Sequence, residues 1–194
     1  MLSSSFLEMQ LGAGAFFIGV NTDDVTPETT AREFESKLEH ARKVGDSLGA
    51  TIGGAIFKAV PEVGQIGVDD MRYPVLGSTV FNRWEVTLET TIKEVTRENF
   101  GRVLSATAQD RSSGALVISG ALRPGHYIPR LGWAGLRGDC GLIYIELSNA
   151  LNIIGMTMTI SNMGQAAIPV AFRGHQLDPS SEFAPCKIFF FDRV

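Results

Sequence analysis

Three histidines, two cysteines and scattered carboxylates are the side chains that could carry acid–base, nucleophilic or metal chemistry. His40 falls in a helical pattern, while His126 and His175 fall in loops, and none has a second ligand at metal spacing. Only folding could gather them, so solvent-facing or hydrogen-bonded histidine is the expectation. Cys140 and Cys186 match no metal spacing either and read as free thiols of a reducing cytosol. No serine sits in a Gly-x-Ser-x-Gly elbow. Glu85 and Glu89 could divide acid and base roles, but on a strand they stand roughly 13–14 Å apart, too far for such a pair. Asp69 and Asp70 have no further acidic residues at calcium-loop spacing and read as an exposed turn. Gly12-Ala13-Gly14 lacks the third glycine of a phosphate-cradling loop, because Phe17 stands there and no helix begins. The expectation is no enzyme, no cofactor and no metal.

The composition agrees. A chain of 194 residues with 44% apolar content suits one domain with a sizeable core. A formal charge of −4 argues against a phosphate-binding surface, which normally carries a basic stripe. No apolar run approaches the roughly 18 residues that span a bilayer, so no membrane partner is expected. The N-terminal stretch has no basic region and places Glu8 among its apolar residues, so a signal peptide is not expected.

The elements that must position any site centre on Asn82–Ala106. Trp84, Val86, Leu88, Thr90 and Ile92 alternate with Glu85, Thr87, Glu89, Thr91 and Lys93, predicting a long, half-buried antiparallel strand with one wet face. A short helix follows, capped by Thr96, with Phe100, Val103 and Leu104 on one face. Upstream, Ala13–Val20 predicts a strand. A helix from Thr26 to Gly49 has Thr26 as N-cap, Pro27 at its first position and an apolar stripe of Ala31, Phe34, Leu38, Ala41, Val44 and Leu48. A single amphipathic helix cannot make a bundle and must pack on sheet. Ile52–Val60 predicts a strand, and long loops are expected at Val60–Thr79 and Leu122–Gly141. Ala115–Gly120, Leu142–Leu147, Gly155–Ser161, Gln165–Arg173 and Lys187–Asp192 read as further strands, with Pro169 at an edge or bulge. Leu142–Leu147, apolar almost throughout, predicts a strand covered on both faces.

Several of these stretches carry a resemblance. The long strand ending in Lys93-Glu94, followed by Thr96-x-Glu98-Asn99 and a short helix, resembles the major tail tube protein of tailed bacteriophages. So do Leu11-Gly-Ala-Gly-Ala-Phe-Phe17, Ala167-Ile-Pro-Val-Ala-Phe172 followed by Asp178, and the closing Lys187-Ile-Phe-Phe-Phe-Asp192. Gly101–Gly141 has no match to the family. The resemblance implies a mainly β (α+β) fold: an antiparallel β-sandwich or barrel with one long flanking helix and one short one. It also implies stacked hexameric rings around a lumen that passes viral DNA as non-specific cargo. The partners would be further copies of the chain, a terminator, a tape measure and a baseplate, in a virion tail made in the bacterial host cytoplasm.

Within that reading Glu85, Thr87, Glu89, Thr91 and Lys93 would face the lumen as an acidic, hydrated wall. Arg130, Trp133 and Arg137 of the second loop, with Asp69 and Asp70 of the first, would contact neighbouring subunits. Tryptophan and arginine are enriched at such contacts. The competing reading is a β-sandwich module that binds a ligand or carbohydrate through Leu122–Gly141.

Overall fold

The alternating and helical patterns resolve into ten strands and two helices among the residues that the computed structural model describes: 7–11, 14–67, 73, 76–94, 96–104, 107–109, 115–118, 120–136, 141–158 and 167–192. In chain order they are β1 Leu7–Leu11, β2 Gly14–Ile18, α1 Ala31–Lys43, β3 Thr51–Gln65, β4 Thr79–Ile92, α2 Arg97–Leu104, β5 Thr107–Gln109, β6 Leu116–Ile118, β7 Ile128–Leu136, β8 Leu142–Asn152, β9 Ile168–Arg173 and β10 Cys186–Phe191. The fold is mainly antiparallel β with flanking helices, as expected.

Strands β1, β3, β4 and β9 lie side by side in one sheet, and β2, β7, β8 and β10 in a second. β8 belongs to both. Its first half runs between β7 and β10, and its end, Leu151–Asn152, pairs with β9. Between these halves Asn149 takes a left-handed backbone (φ 46°), a conformation asparagine tolerates better than most residues.

Alternation fixes what lies between the sheets. On the first sheet Phe57, Leu88 and Phe172 stand in register on adjacent strands, all fully buried. On the second, Phe16, Trp133 and Ile145 form the facing row, with Ile188 packed alongside. Val103 and Phe100 of α2 pack against this same core. The other face of the second sheet takes α1, whose Ala31, Phe34, Leu38 and Ala41 pack on Phe17, Ala134, Leu142, Tyr144 and Phe191. β8 is therefore covered on both sides, which is why Leu142–Leu147 reads as almost continuously apolar.

α1 begins later than expected. Thr30, not Thr26, is the N-cap, in a reciprocal capping box with Glu33. Thr26 instead closes a separate turn with Thr29, which consumes the residues a longer helix would need. The helix ends at Lys43 because Gly45 turns left-handed (φ 83°), so Leu48 reaches the core from outside the helix. α2 forms as expected, with Thr96 Oγ1 accepting from Asn99 N at 3.2 Å.

Each of the two stretches expected as a long loop is strand in part. β3 continues through Pro61 and Gly64 to Gln65, and with β4 it builds an arm. β1 pairs with β3 only as far as Ala59, and β9 pairs with β4 only from Thr87 onward. Beyond those points, among the described residues, Val60–Gln65 and Thr79–Glu85 pair with each other alone, as a two-stranded ribbon roughly 20 Å long at about 3.3 Å per residue. Within it the register skips Asn82, since Glu62 pairs Arg83 and Val63 pairs Phe81. In the second stretch, Leu122–Gly141, β7 occupies Ile128–Leu136 as a central strand. Its glycines had suggested a loop; two of them instead make room for large neighbours. A Cβ on Gly132 would lie 2.0 Å from Tyr144 Oη, and one on Gly135 would lie 2.1 Å from Trp133 Cη2. Gly155–Met158, expected as strand, forms none, and 159–161 lie outside the described residues. Pro169 pairs with β4 on one side, while β8 reaches only Phe172 and Arg173, so β9 is an open edge at the proline.

Candidate functional site

The wet face of β4 is the first surface the sequence singles out. Val86, Leu88 and Ile92 are fully buried on one side and Glu85, Glu89 and Thr91 keep exposure on the other, but Thr87, expected on the wet face, is buried. Thr90 sits on that buried side too, and its hydroxyl donates to Gly54 O at 2.7 Å. Trp84 shares this parity but is 40% exposed, because it lies on the arm beyond the sheet. Lys93 falls just past the strand's last residue, Ile92.

This face was expected to be acidic; its two carboxylates are instead neutralised. Lys58 Nζ, on β3, donates to both oxygens of Glu89 at 2.8 and 2.9 Å. Arg173, on β9, donates to Glu85. Thr87 stands in register between Lys58 and Arg173 and is buried between the two flanking strands. The result is a charge-balanced band across three strands. Each pair is about a third to a half exposed, so each adds only about 0–1 kcal/mol to stability.

Of the second set, expected at subunit contacts, Trp133 and Arg130 lie among the described residues. Trp133 is 2% exposed in the chain's own core, so its indole is already used inside the subunit and has nothing to offer a neighbour. Arg130 turns back on its own chain: Nη2 donates to Asp23 at 2.5 Å and Nη1 to Asn21 Oδ1 at 3.0 Å. Asp69, Asp70 and Arg137 lie outside the described residues.

A titratable cluster that the sequence reading missed surrounds Arg130. Glu146, on β8, is 2% exposed on the face covered by α1, and accepts from Thr22 Oγ1 at 2.9 Å. In register it neighbours Gly132 on one side and Lys187 on the other. Burial raises its pKa, while the Thr22 bond and the charges of Arg130 and Lys187 hold it down. Asp23 goes the opposite way, its pKa lowered by the Arg130 hydrogen bond. One signal for this cluster was in view, the lone carboxylate in the apolar run Leu142–Leu147.

Among the described residues the other candidates stand apart from one another. His40 is exposed on α1, His126 Nδ1 accepts from Arg123 N at 3.0 Å, and His175 stands edge-on to Tyr127 with ring centroids 5.2 Å apart. Glu85 and Glu89 engage separate cations rather than each other. Among the described residues no three His, Cys, Asp or Glu side chains gather to hold a metal, and no helix is long and apolar enough to cross a membrane. What the arrangement offers is surface: a balanced polar face, and an arm whose Val63, Ile66, Val80, Phe81 and Trp84 are 40–56% exposed. No protein-family model matches the chain, and no curated protein matches it.

Proposed function

We propose that the chain is the structural subunit of a phage tail tube, assembling as stacked hexameric rings around a lumen through which viral DNA passes. The observation that carries this reading is the arm, whose two strands pair with each other alone among the described residues. A two-stranded ribbon is marginal in water by itself, and this one exposes apolar side chains along both strands. An unpaired strand edge is likewise a liability unless something covers it. Contact between an arm and a different surface of the next copy is heterologous, which closes into rings or propagates along an axis. A second copy therefore serves as the natural cover.

The resemblance of the sequence to tail tube proteins supplies the assembly's identity, and the mainly β fold with flanking helices agrees with it. In this reading Glu85, Glu89 and Thr91 line the lumen, with Lys58 and Arg173 interleaved and Thr87 buried between them. Phosphates then meet cations already bound to carboxylates.

Sedimentation velocity and negative-stain microscopy of the purified chain test the proposal. Rings or hollow tubes are expected. One compact species at every concentration overturns it.

A further inference from the structure

The arm meets the β9–β10 connection in a cleft of about 340 Å³, at the lower end of ligand-sized pockets. How the cleft acquires its aromatic wall is informative. Phe81 and Trp84 are three apart on a strand and would ordinarily point to opposite faces. The skipped residue Asn82 is a β-bulge, which shifts the alternation by one and brings both rings to the same side. Their centroids lie 5.7 Å apart with the planes tilted by 51°, and both rings are about half exposed. Phe183, 83% exposed, lines the cleft from the β9–β10 connection.

The polar groups in the cleft are acceptor-rich. Glu182 has no ion-pair partner among the described residues, where the Asp178 carboxylate accepts from the neighbouring Ser180, at 2.9 Å from N and 2.6 Å from Oγ. Gln176 Nε2 donates to Phe183 O at 2.7 Å, which leaves its amide oxygen available. The two arginines in the cleft are engaged, Arg83 with Glu62 at 2.5 Å and Arg173 with Glu85. A phosphate or carboxylate ligand would thus meet the carboxylates of Asp178 and Glu182, and would compete with Glu62 and Glu85 for the two guanidinium groups. A purely apolar ligand would leave the carboxylates desolvated and unpaired. A neutral, hydroxyl-rich ring satisfies both conditions: its C–H face stacks on an aromatic plane, and its hydroxyls donate to carboxylate and amide oxygens.

We infer that the cleft between the arm and the β9–β10 connection is a binding site for neutral saccharide units, with Trp84 and Phe81 as the stacking platform and Gln176, Asp178 and Glu182 as hydroxyl acceptors. The site is built wholly within one chain and does not rest on tube assembly. It differs in place from the Leu122–Gly141 stretch first considered for such a role, whose residues Ile128–Leu136 form strand β7.

The chain's two tryptophans provide the readout, because Trp84 is 40% exposed and Trp133 is buried. Titration of the dispersed chain with neutral gluco-, manno- and N-acetylchito-oligosaccharides should shift and protect the Trp84 component of the emission saturably with at least one series. Trp84→Ala should abolish that signal by removing its reporter, so the affinity of the variants is read by calorimetry. There Trp84→Ala and Phe81→Ala should each weaken binding about tenfold, while Trp84→Phe should retain most of it. Circular dichroism of every variant should stay native, since neither ring belongs to the core. No saccharide response in the millimolar range overturns the inference. So does binding that survives Trp84→Ala unchanged, and so does capture of an extended peptide, with no sugar bound, along the open edge of β4.

Discussion

Gly14 lies against the indole of Trp133, so closely that a Cβ there would come within 2.4 Å of the ring's Cε2 and Cζ2. Gly135, its partner in register on β7, lies as close on the same face, so the ring occupies a slot between two glycines on paired strands. Gly14→Ala should therefore overpack the core and cost about 1–3 kcal/mol. Trp133→Ala empties the slot and should cost about 3–5 kcal/mol. Thermal melts of the dispersed chain measure both. A melt unchanged by Trp133→Ala would mean that the ring is not seated there in solution.

That slot also marks the boundary of what the sequence made legible. Glycine at Gly14 and Gly135 carries no label saying whether it frees a loop or makes room for a ring, and the partner ring lies across a strand pair. The glycine-rich run thus read as loop. The β4 alternation, the β8 run and the Thr96 cap were legible because each is a local pattern with a local cause. Opaque were the relationships that depend on lateral pairing. Nothing near Glu85 or Glu89 in the chain announces Lys58 or Arg173, and nothing near Glu146 announces Thr22.

Leu88 stands at the centre of the row with Phe57 and Phe172, fully buried. Leu88→Ala should cost about 2–5 kcal/mol. In a protein of this size that lowers the melting temperature by roughly 2–4 °C per kcal/mol. A negligible shift would mean that the opposite face of β4 is the buried one.

The pairs Lys58–Glu89 and Arg173–Glu85 lead to a prediction about charge. Changing both Glu85 and Glu89 to Lys removes two carboxylates and leaves four cations on one face, while each lost pair costs only about 0–1 kcal/mol. The variant should melt nearly as the parent does, yet bind DNA with a steep salt dependence that the parent lacks. In intact particles it should slow ejection. DNA affinity equal to that of the parent at low salt would defeat the expectation.

Glu146 predicts an acid-side gain in stability. Its pKa is raised in the folded state, so the fold binds this proton before the unfolded chain does. Stability should therefore rise as pH falls from neutral through the folded-state pKa, and the gain is complete once pH reaches the ordinary glutamate value of 4.5. Asp23 acts in a lower window: its pKa is depressed, so its contribution is lost only as pH falls below the ordinary 3.8. Glu146→Gln should raise the melting temperature at pH 7–8 and flatten its rise toward pH 5. A pH profile as steep as the parent's would assign the effect to another group.

The arm gives the assembly prediction. Val80 is 43% exposed and Val63 56%, so Val63→Asp and Val80→Asp should change the dispersed chain's stability by about 0.5 kcal/mol or less. Assembly, in contrast, should fail, because a carboxylate would be desolvated wherever the ribbon is covered. Tubes of normal yield from either variant would free that position from any contact.

The short ladder where β8 crosses from one sheet to the other bears on how such a subunit would carry load. Only Leu151 and Asn152 pair with β9 there. Asn152 fastens the joint with its side chain: Oδ1 accepts from Ala171 N at 3.1 Å, and Nδ2 donates to Val103 O of α2 at 2.8 Å. Tension applied to the arm runs down β4 into β9 and leaves the first sheet through this seam. The Asn152 amide, beside Ile153 N donating to Ala171 O at 2.9 Å, thus acts as a rivet between two plates and a strut. Under pulling, the plates should part at Asn152 before either one shears within itself.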